Sequence, residues 1–246
     1  MSKDETTSRL VALYFDANDP LHLARFWAEA LRWELGDATD DEIALVPTDG
    51  TRFRVLFQAV QGQKIGQNRI HLDLTTTSQV DQDETVARLV DLGARHIDIG
   101  QSPDEPHVVL ADPEGNEFCI IEPTNKFLAD CGRLGAINCD GTRAVGYFWS
   151  AAIGWPLVWD QDEETAIRAL DGTGPLITWS GPPLIPKFGK NRLHLDIAPA
   201  ARGDQRAEVE RLISLGATRT NLGQRDVSWV VMADPDDNEF CVLTPR

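Results

Sequence analysis

Apolar and polar positions along the first half of the chain change period in a regular order. Leu10 to Phe15 is an apolar, β-prone run that suits a strand covered on both faces. From Pro20 the spacing lengthens, and Leu23, Phe26, Trp27, Ala30 and Leu31 fall on one face of a helix reaching about Arg32, with proline in its first turn. Short strands are predicted near Ile43–Val46 and Phe53–Gln58. The plan then restarts with a strand at Ile70–Thr75 and a helix near Gln79–Leu92, whose Val86, Leu89 and Val90 form the buried stripe and which Gly93 ends. Strands at about Arg95–Ile99, His107–Leu110 and Glu117–Ile121 follow, the last two joined by a turn at Asp112-Pro113-Glu114-Gly115-Asn116.

The same pattern recurs. Phe26-Trp27 and Trp33 return as Phe148-Trp149 and Trp155, at an offset of 122. Asn68-Arg69-Ile70-His71-Leu72-Asp73-Leu74 returns as Asn191-Arg192-Leu193-His194-Leu195-Asp196-Ile197, at an offset of 123. Leu92-Gly93-Ala94 returns as Leu215-Gly216-Ala217, and the block from Ala111 to Cys119 returns as Ala233 to Cys241. Matching blocks in one order mean a duplicated domain, with copies at 1–124 and 131–246 and a junction from Thr124 to Gly132. A period this long exceeds a solenoid unit, so each copy is expected to own a core. The fold class is α+β, each copy being strand–helix–three strands, twice over.

Charge narrows the partners. With 23 Lys+Arg against 39 Asp+Glu the net charge is −16, which repels phosphate backbones and anionic membranes alike. No signal-peptide pattern and no bilayer-length apolar run occurs, so the expectation is a cytoplasmic protein that binds neither nucleic acid nor membrane, as monomer or homodimer. Cys119, Cys131, Cys139 and Cys241 form no CxxC pair and are expected to be free thiols.

Five landmarks agree in order and spacing in both copies: Phe-Trp-(x)5-Trp, His-Leu-Asp, Leu-Gly-Ala, Asp-Pro-x-x-Asn-Glu-Phe and the strand order around them. Together they resemble the vicinal oxygen chelate superfamily of glyoxalases, bleomycin-resistance proteins and dioxygenases, and within it a glyoxalase-like branch of actinobacterial type in which tandem copies are common. The resemblance implies paired βαβββ units whose curled mixed sheet makes a concave pocket for a small molecule and, in the enzymes, a divalent metal. It does not imply one activity, because isomerases, dioxygenases, transferases and sequestering proteins share the fold.

In metal-dependent relatives the ligands come from the first strand, sometimes the fourth, and from the fifth and last strands. His71 and His194 stand at the fifth-strand position, whereas Cys119 and Cys241 stand where the last-strand Glu would be, and the first strand offers no His, Glu or Gln. That leaves one good ligand and one thiol per site against the three that zinc or iron usually needs, so no cofactor is favoured; were zinc, iron, manganese or nickel bound, His71 and His194 would lead. Side chains two apart share a strand face, which sets His71 beside Asp73, His194 beside Asp196, Glu117 beside Cys119 and Glu239 beside Cys241. The His–Asp pairs are candidates for metal-free acid/base chemistry, with strand stapling by Asn68 and Arg69 as the structural alternative.

Where the copies differ, Phe57 corresponds to Trp179, His107 to Trp229 and Asp37 to Trp159. Flat aromatic side chains suit planar guests, so these positions are expected to line the ligand site, chiefly in the second copy. The Gly-Pro-rich loop from Gly181 to Lys190 is a connector or a lid over that site. The leading expectation is a protein that sequesters or carries a hydrophobic or aromatic molecule, natural products among the candidates. The alternatives are a metal-independent cyclase, isomerase or lyase using a His–Asp pair, a metal-dependent lyase or dioxygenase, and a protein-interaction scaffold.

Overall fold

The structure is a computed structural model describing residues 7–39, 41–224 and 227–246. The first copy supplies β1 (Arg9–Ala17), α1 (Pro20–Leu31), β2 (Glu34–Ala38), β3 (Glu42–Val46) and β4 (Arg54–Ala59), then β5 (Ile70–Leu74), α2 (Gln79–Asp91), β6 (Arg95–His96), β7 (Val108–Ala111) and β8 (Glu117–Ile120). The second repeats the order with β9 (Leu134–Cys139), α3 (Arg143–Ile153), β10 (Leu157–Gln161), β11 (Glu164–Ile167) and β12 (Leu176–Trp179), then β13 (Leu193–Ala198), α4 (Gln205–Ser214), β14 (Thr218–Arg219), β15 (Val230–Ala233) and β16 (Glu239–Val242). The α+β class and the four βαβββ units are as the periodicity predicts. Periodicity missed β2, an edge strand whose residues are nearly all exposed and so carry no alternation. It also stretched β6, which is only two residues long.

Helix ends follow local chemistry. The Asp19 side chain accepts from the His22 N–H at 3.0 Å and Pro20 opens α1. Ser78 and Asp204 cap α2 and α4 through the N–H groups of Asp81 and Ala207. At the C-terminus of α3, Gly154 takes the left-handed conformation at φ 72°, which a residue without Cβ adopts freely; Arg32 takes the same conformation after α1, at φ 60°.

The four units pair across the copies. One sheet, here sheet A, runs β14-β15-β16-β13-β1-β4-β3-β2, joining the first half of copy 1 to the second half of copy 2; sheet B runs β10-β11-β12-β9-β5-β8-β7-β6 and joins the other two halves. The seams are antiparallel, β1 against β13 and β5 against β9. One face of each sheet is covered by helices, α1 on sheet A touching α2 on sheet B. Leu13, Phe15, Leu72, Leu74, Ile137 and Ile197, from both copies and both sheets, belong to one continuous apolar cluster. The expectation of a core for each copy is therefore corrected: an open βαβββ sheet has an unpaired first strand, and in this chain the strand that covers it comes from the other copy.

The repeated Asn-Arg step holds this exchange. Arg69 donates from Nε to the Ile185 carbonyl at 2.9 Å and from Nη1 to the Asp236 carbonyl at 2.7 Å, with Asp140 at 3.3 Å. Its counterpart Arg192 reaches back to the Asp16 carbonyl at 2.7 Å and to the Glu114 carboxylate at 2.6 Å. Asn68 and Asn191 bind Asn116 and Asn238. The stapling role expected for the motif thus runs between copies as well as within them.

Candidate functional site

Strand alternation places Ile70, Leu72 and Leu74 in the helix-covered core, so His71 and Asp73 emerge on the open face of sheet B. Leu193, Leu195 and Ile197 do the same in sheet A, leaving His194 and Asp196 on its open face. Across each parallel pairing with the last strand, Asp73 registers with Cys119 and Asp196 with Cys241. Two triads result, His71–Asp73–Cys119 and His194–Asp196–Cys241, each with its ligand atoms within 4.8 Å of one another. The pairs that sequence spacing predicted do meet: His71 Nε2 lies 3.4 Å from Asp73 and His194 Nε2 lies 3.3 Å from Asp196.

The surroundings of the two triads differ. Across the seam of sheet A, His194 faces Tyr14, whose ring stacks on the imidazole with centroids 5.2 Å apart and planes 11° apart. Tyr14 donates its hydroxyl to Glu42 at 2.6 Å. Burial, helped by the Glu42 carboxylate, pushes the Tyr14 phenol far above its ordinary range, so it stays a donor. His194 and Asp196 are both buried; His194 Nδ1 has no hydrogen-bond partner among the described residues, and Asp196 Oδ1 has the His194 Nε2 contact alone. They open on a cavity of about 440 Å³ whose other walls include Trp229, Val60, Leu222 and Val231. Its charged lining comprises Glu42, Asp196, Glu239 and Lys190. Lys190 is held by Asp16 at 2.7 Å and Glu239 by Lys187 at 2.6 Å; among the described residues, Glu42 has no Lys or Arg within 4.0 Å and Asp196 has only His194 beside it.

In sheet B, His71 faces Asn138, whose amide reaches Asp73 at 3.4 Å. The open face around Cys119 is occupied by an apolar cluster of Val109, Ile121, Leu128, Ala136, Ala166 and Leu176. Leu128 comes from the junction between the copies, and its close approach requires Gly135, where a Cβ would stand 3.0 Å from Leu128 Cδ1 and 2.7 Å from Thr75 Cγ2. Burial opposes charge on His71, but the hydrogen bond and charge of Asp73, with Glu117, outweigh it and raise its pKa. Glu117 itself is paired with Lys64, repeating the Glu239–Lys187 pair.

The expected aromatic lining is partly corrected. Trp179 and Phe57 are buried in the helix-side core, Phe57 against Phe15, because β4 and β12 turn those positions toward the helices. Trp229 lines the sheet A cavity, whereas Trp159 lies on sheet B against Phe127, so the second-copy indoles do not converge. His107 stands at the edge of sheet B, 3.7 Å from Glu105. The Gly181–Lys190 loop docks on the opposite copy through Ile185, and only Lys190 of it lines the sheet A cavity. Sequence reasoning missed Tyr14 and Glu42, which lie on strands of the other copy from His194.

Two βαβββ pairs with a histidine-bearing open face define the vicinal oxygen chelate class. The chain belongs to the glyoxalase-like domain family, which it matches over residues 12–121 and 136–243. Its fold is similar to that of glyoxalase I from Zea mays, at 14% identity and a TM-score of 0.66, covering 97% of this chain and 92% of that one. A putative dioxygenase from Bacillus subtilis is also similar, at 15% identity and a TM-score of 0.63, covering 98% and 86%. No curated protein matches the sequence. Among the described residues, no helix is long and apolar enough to cross a membrane.

The triads alter the ligand count, since each adds an aspartate to the histidine and thiol that family positions supply. A nitrogen, a carboxylate oxygen and a sulfur at this spacing suit a borderline divalent ion such as zinc, and in the sheet A triad the buried His194 Nδ1 has no hydrogen-bond partner among the described residues. Burial and Asp196 push the Cys241 thiol up, so metal binding there would release its proton.

Proposed function

We propose that the chain is a small-molecule binding protein whose principal site is the sheet A cavity. The observation that carries this reading is the cavity of about 440 Å³ itself, into whose wall Tyr14, Trp229 and the buried His194–Asp196 pair are brought together from both copies. Glu42 and Asp196 line the cavity with carboxylates, which accept from an O–H or N–H of a guest. Trp229 supplies a flat apolar wall, and the Glu42 and Asp196 carboxylates disfavour anions. The fitting guest is planar, neutral or cationic, and carries an O–H or N–H donor.

A second reading, lyase or dioxygenase chemistry with a divalent ion, is favoured by the three-donor triad. Such an ion, held by His194, Asp196 and Cys241, would polarise an oxygen of the guest. Tyr14 would then orient that guest through its hydroxyl and Trp229 would exclude water from it.

The test is calorimetric titration of the intact chain with 2-naphthol, before and after dialysis against chelator, alongside metal analysis. Saturable binding, weakened roughly tenfold by Trp229→Ala as expected for a lost aromatic contact, supports the binding reading. Absence of binding to the parent chain, or binding indifferent to Trp229→Ala, sinks it. Stoichiometric metal whose removal abolishes binding moves the assignment to the second reading.

A further inference from the structure

The junction between the copies is ordered. Asn125 Oδ1 accepts from the Leu128 N–H at 3.1 Å, Cys131 N–H closes on the Leu128 carbonyl at 3.0 Å, and Leu128 is buried in the apolar cluster on the open face of sheet B. This turn makes Lys126 and Phe127 one wall of a cavity of about 700 Å³, whose other wall is β10 and β11 with Val158, Trp159 and Arg168. Phe127 and Trp159 meet edge to face with centroids 5.5 Å apart, and Phe127 and Val158 are exposed. The arrangement is an apolar slot lined by an aromatic pair in edge-to-face contact.

Its charge is opposite to that of the sheet A cavity. Among the described residues, neither Lys126 nor Arg168 has a carboxylate within 4.0 Å, in a chain whose net charge is −16. Arg168 spends Nη2 on the Asp130 carbonyl at 2.7 Å, while its Nε is buried without a partner. The acid at this slot, Glu164, is exposed at the outer end of β11. Two cationic side chains, Lys126 and Arg168, lining a slot with Phe127 and Trp159 and with no carboxylate within 4.0 Å among the described residues, are matched by a carboxylate carried on a flat ring system.

We propose that this slot is a second binding site, selective for planar aromatic carboxylates, built by the junction and by the first half of copy 2. It is independent of the sheet A site and takes guests that site repels.

The test uses the full chain carrying Trp229→Ala, which weakens the sheet A site, titrated calorimetrically with 2-naphthoate and with 2-naphthol. Saturable binding of 2-naphthoate, at least tenfold tighter than any binding of 2-naphthol, is expected. Arg168→Met keeps the aliphatic stem and should weaken 2-naphthoate at least tenfold. Lys126→Ala, at an exposed position where folding is not at stake, should weaken it several-fold, with a steeper loss at low salt than at high salt. No saturable binding of 2-naphthoate, equal affinity for both probes, or indifference to both substitutions overturns the proposal. Loss of 2-naphthol binding to the parent chain alone would instead strike the sheet A reading and leave this one standing.

Discussion

Sheets A and B carry the same His-x-Asp step, the same last-strand cysteine and the same strand order, yet among the described residues the sheet A triad lines a cavity of about 440 Å³ while the Cys119 of sheet B lies in an apolar cluster. In sheet B the face next to Cys119 is filled by Leu128, Ala136, Leu176 and their neighbours. The cavities of about 950 Å³ and 700 Å³ that flank it are walled by other residues than His71 and Asp73. A repeated chemical step is thus uncoupled from a repeated site. What distinguishes the sheets is the residue facing the histidine, Tyr14 against Asn138, and the chain that crosses the open face.

The largest expected effect concerns the clamps that pair the halves. Arg69 and Asp140 are both nearly buried, and Asp140 has the Ile185 N–H as its other bond. Glu114, by contrast, still accepts from Asn18 and Asp19 when Arg192 is gone. Arg69→Ala should therefore cost about 3–5 kcal/mol, as for removal of one partner from a buried pair, and Arg192→Ala clearly less. Urea unfolding measures both; an equal loss would mean that the two seams are energetically equivalent.

Next in size is Leu128→Ala, for which truncation of a buried leucine predicts a loss of about 2–4 kcal/mol. It should open the face of sheet B near Cys119 and leave 2-naphthol binding to sheet A unchanged. Unaltered stability would show that the junction does not fill that face, and the contrast between the sheets would fall.

Much of this was legible in the chain itself. Period and landmarks placed four βαβββ units, the His–Asp pairs and their shared strand face, because alternation over a strand with one packed side fixes which residues look outward. The exchange of halves was not legible, since the same β1 edge can accept β5 of its own copy or β13 of the other, and the hydrophobic pattern of both is alike. Every site residue that depends on that choice was lost with it: Tyr14 and Glu42 beside His194, and Leu128 over sheet B. Trp179 misled for a simpler reason, since a one-residue change of register on a short strand exchanges the open face for the core.

A smaller effect separates the residues that face the histidines. Tyr14→Phe keeps the ring on His194 and removes the bond to Glu42, so a loss of about 1 kcal/mol is expected, with the cavity shape preserved. Binding of 2-naphthol should fall less than with Trp229→Ala. A larger fall would move the recognition of the guest from the indole to the hydroxyl.

The smallest effect is a titration. His71 is partly exposed, and burial alone would lower its pKa, yet Asp73 and Glu117 reverse the sign and hold it above 6.5. Because the folded value lies above the unfolded one, the contribution of the His71 imidazolium to stability is present in full below pH 6.5 and disappears as pH rises through the folded pKa. The shift should appear as a His71 ring resonance titrating above 6.5 in NMR spectra of the intact chain. Asp73→Asn removes the charge and leaves the burial, so the same resonance should then titrate below that of the parent. If it does not move, the His–Asp pair in sheet B is a contact of geometry without electrostatic coupling, and its repetition in both copies reflects strand packing alone.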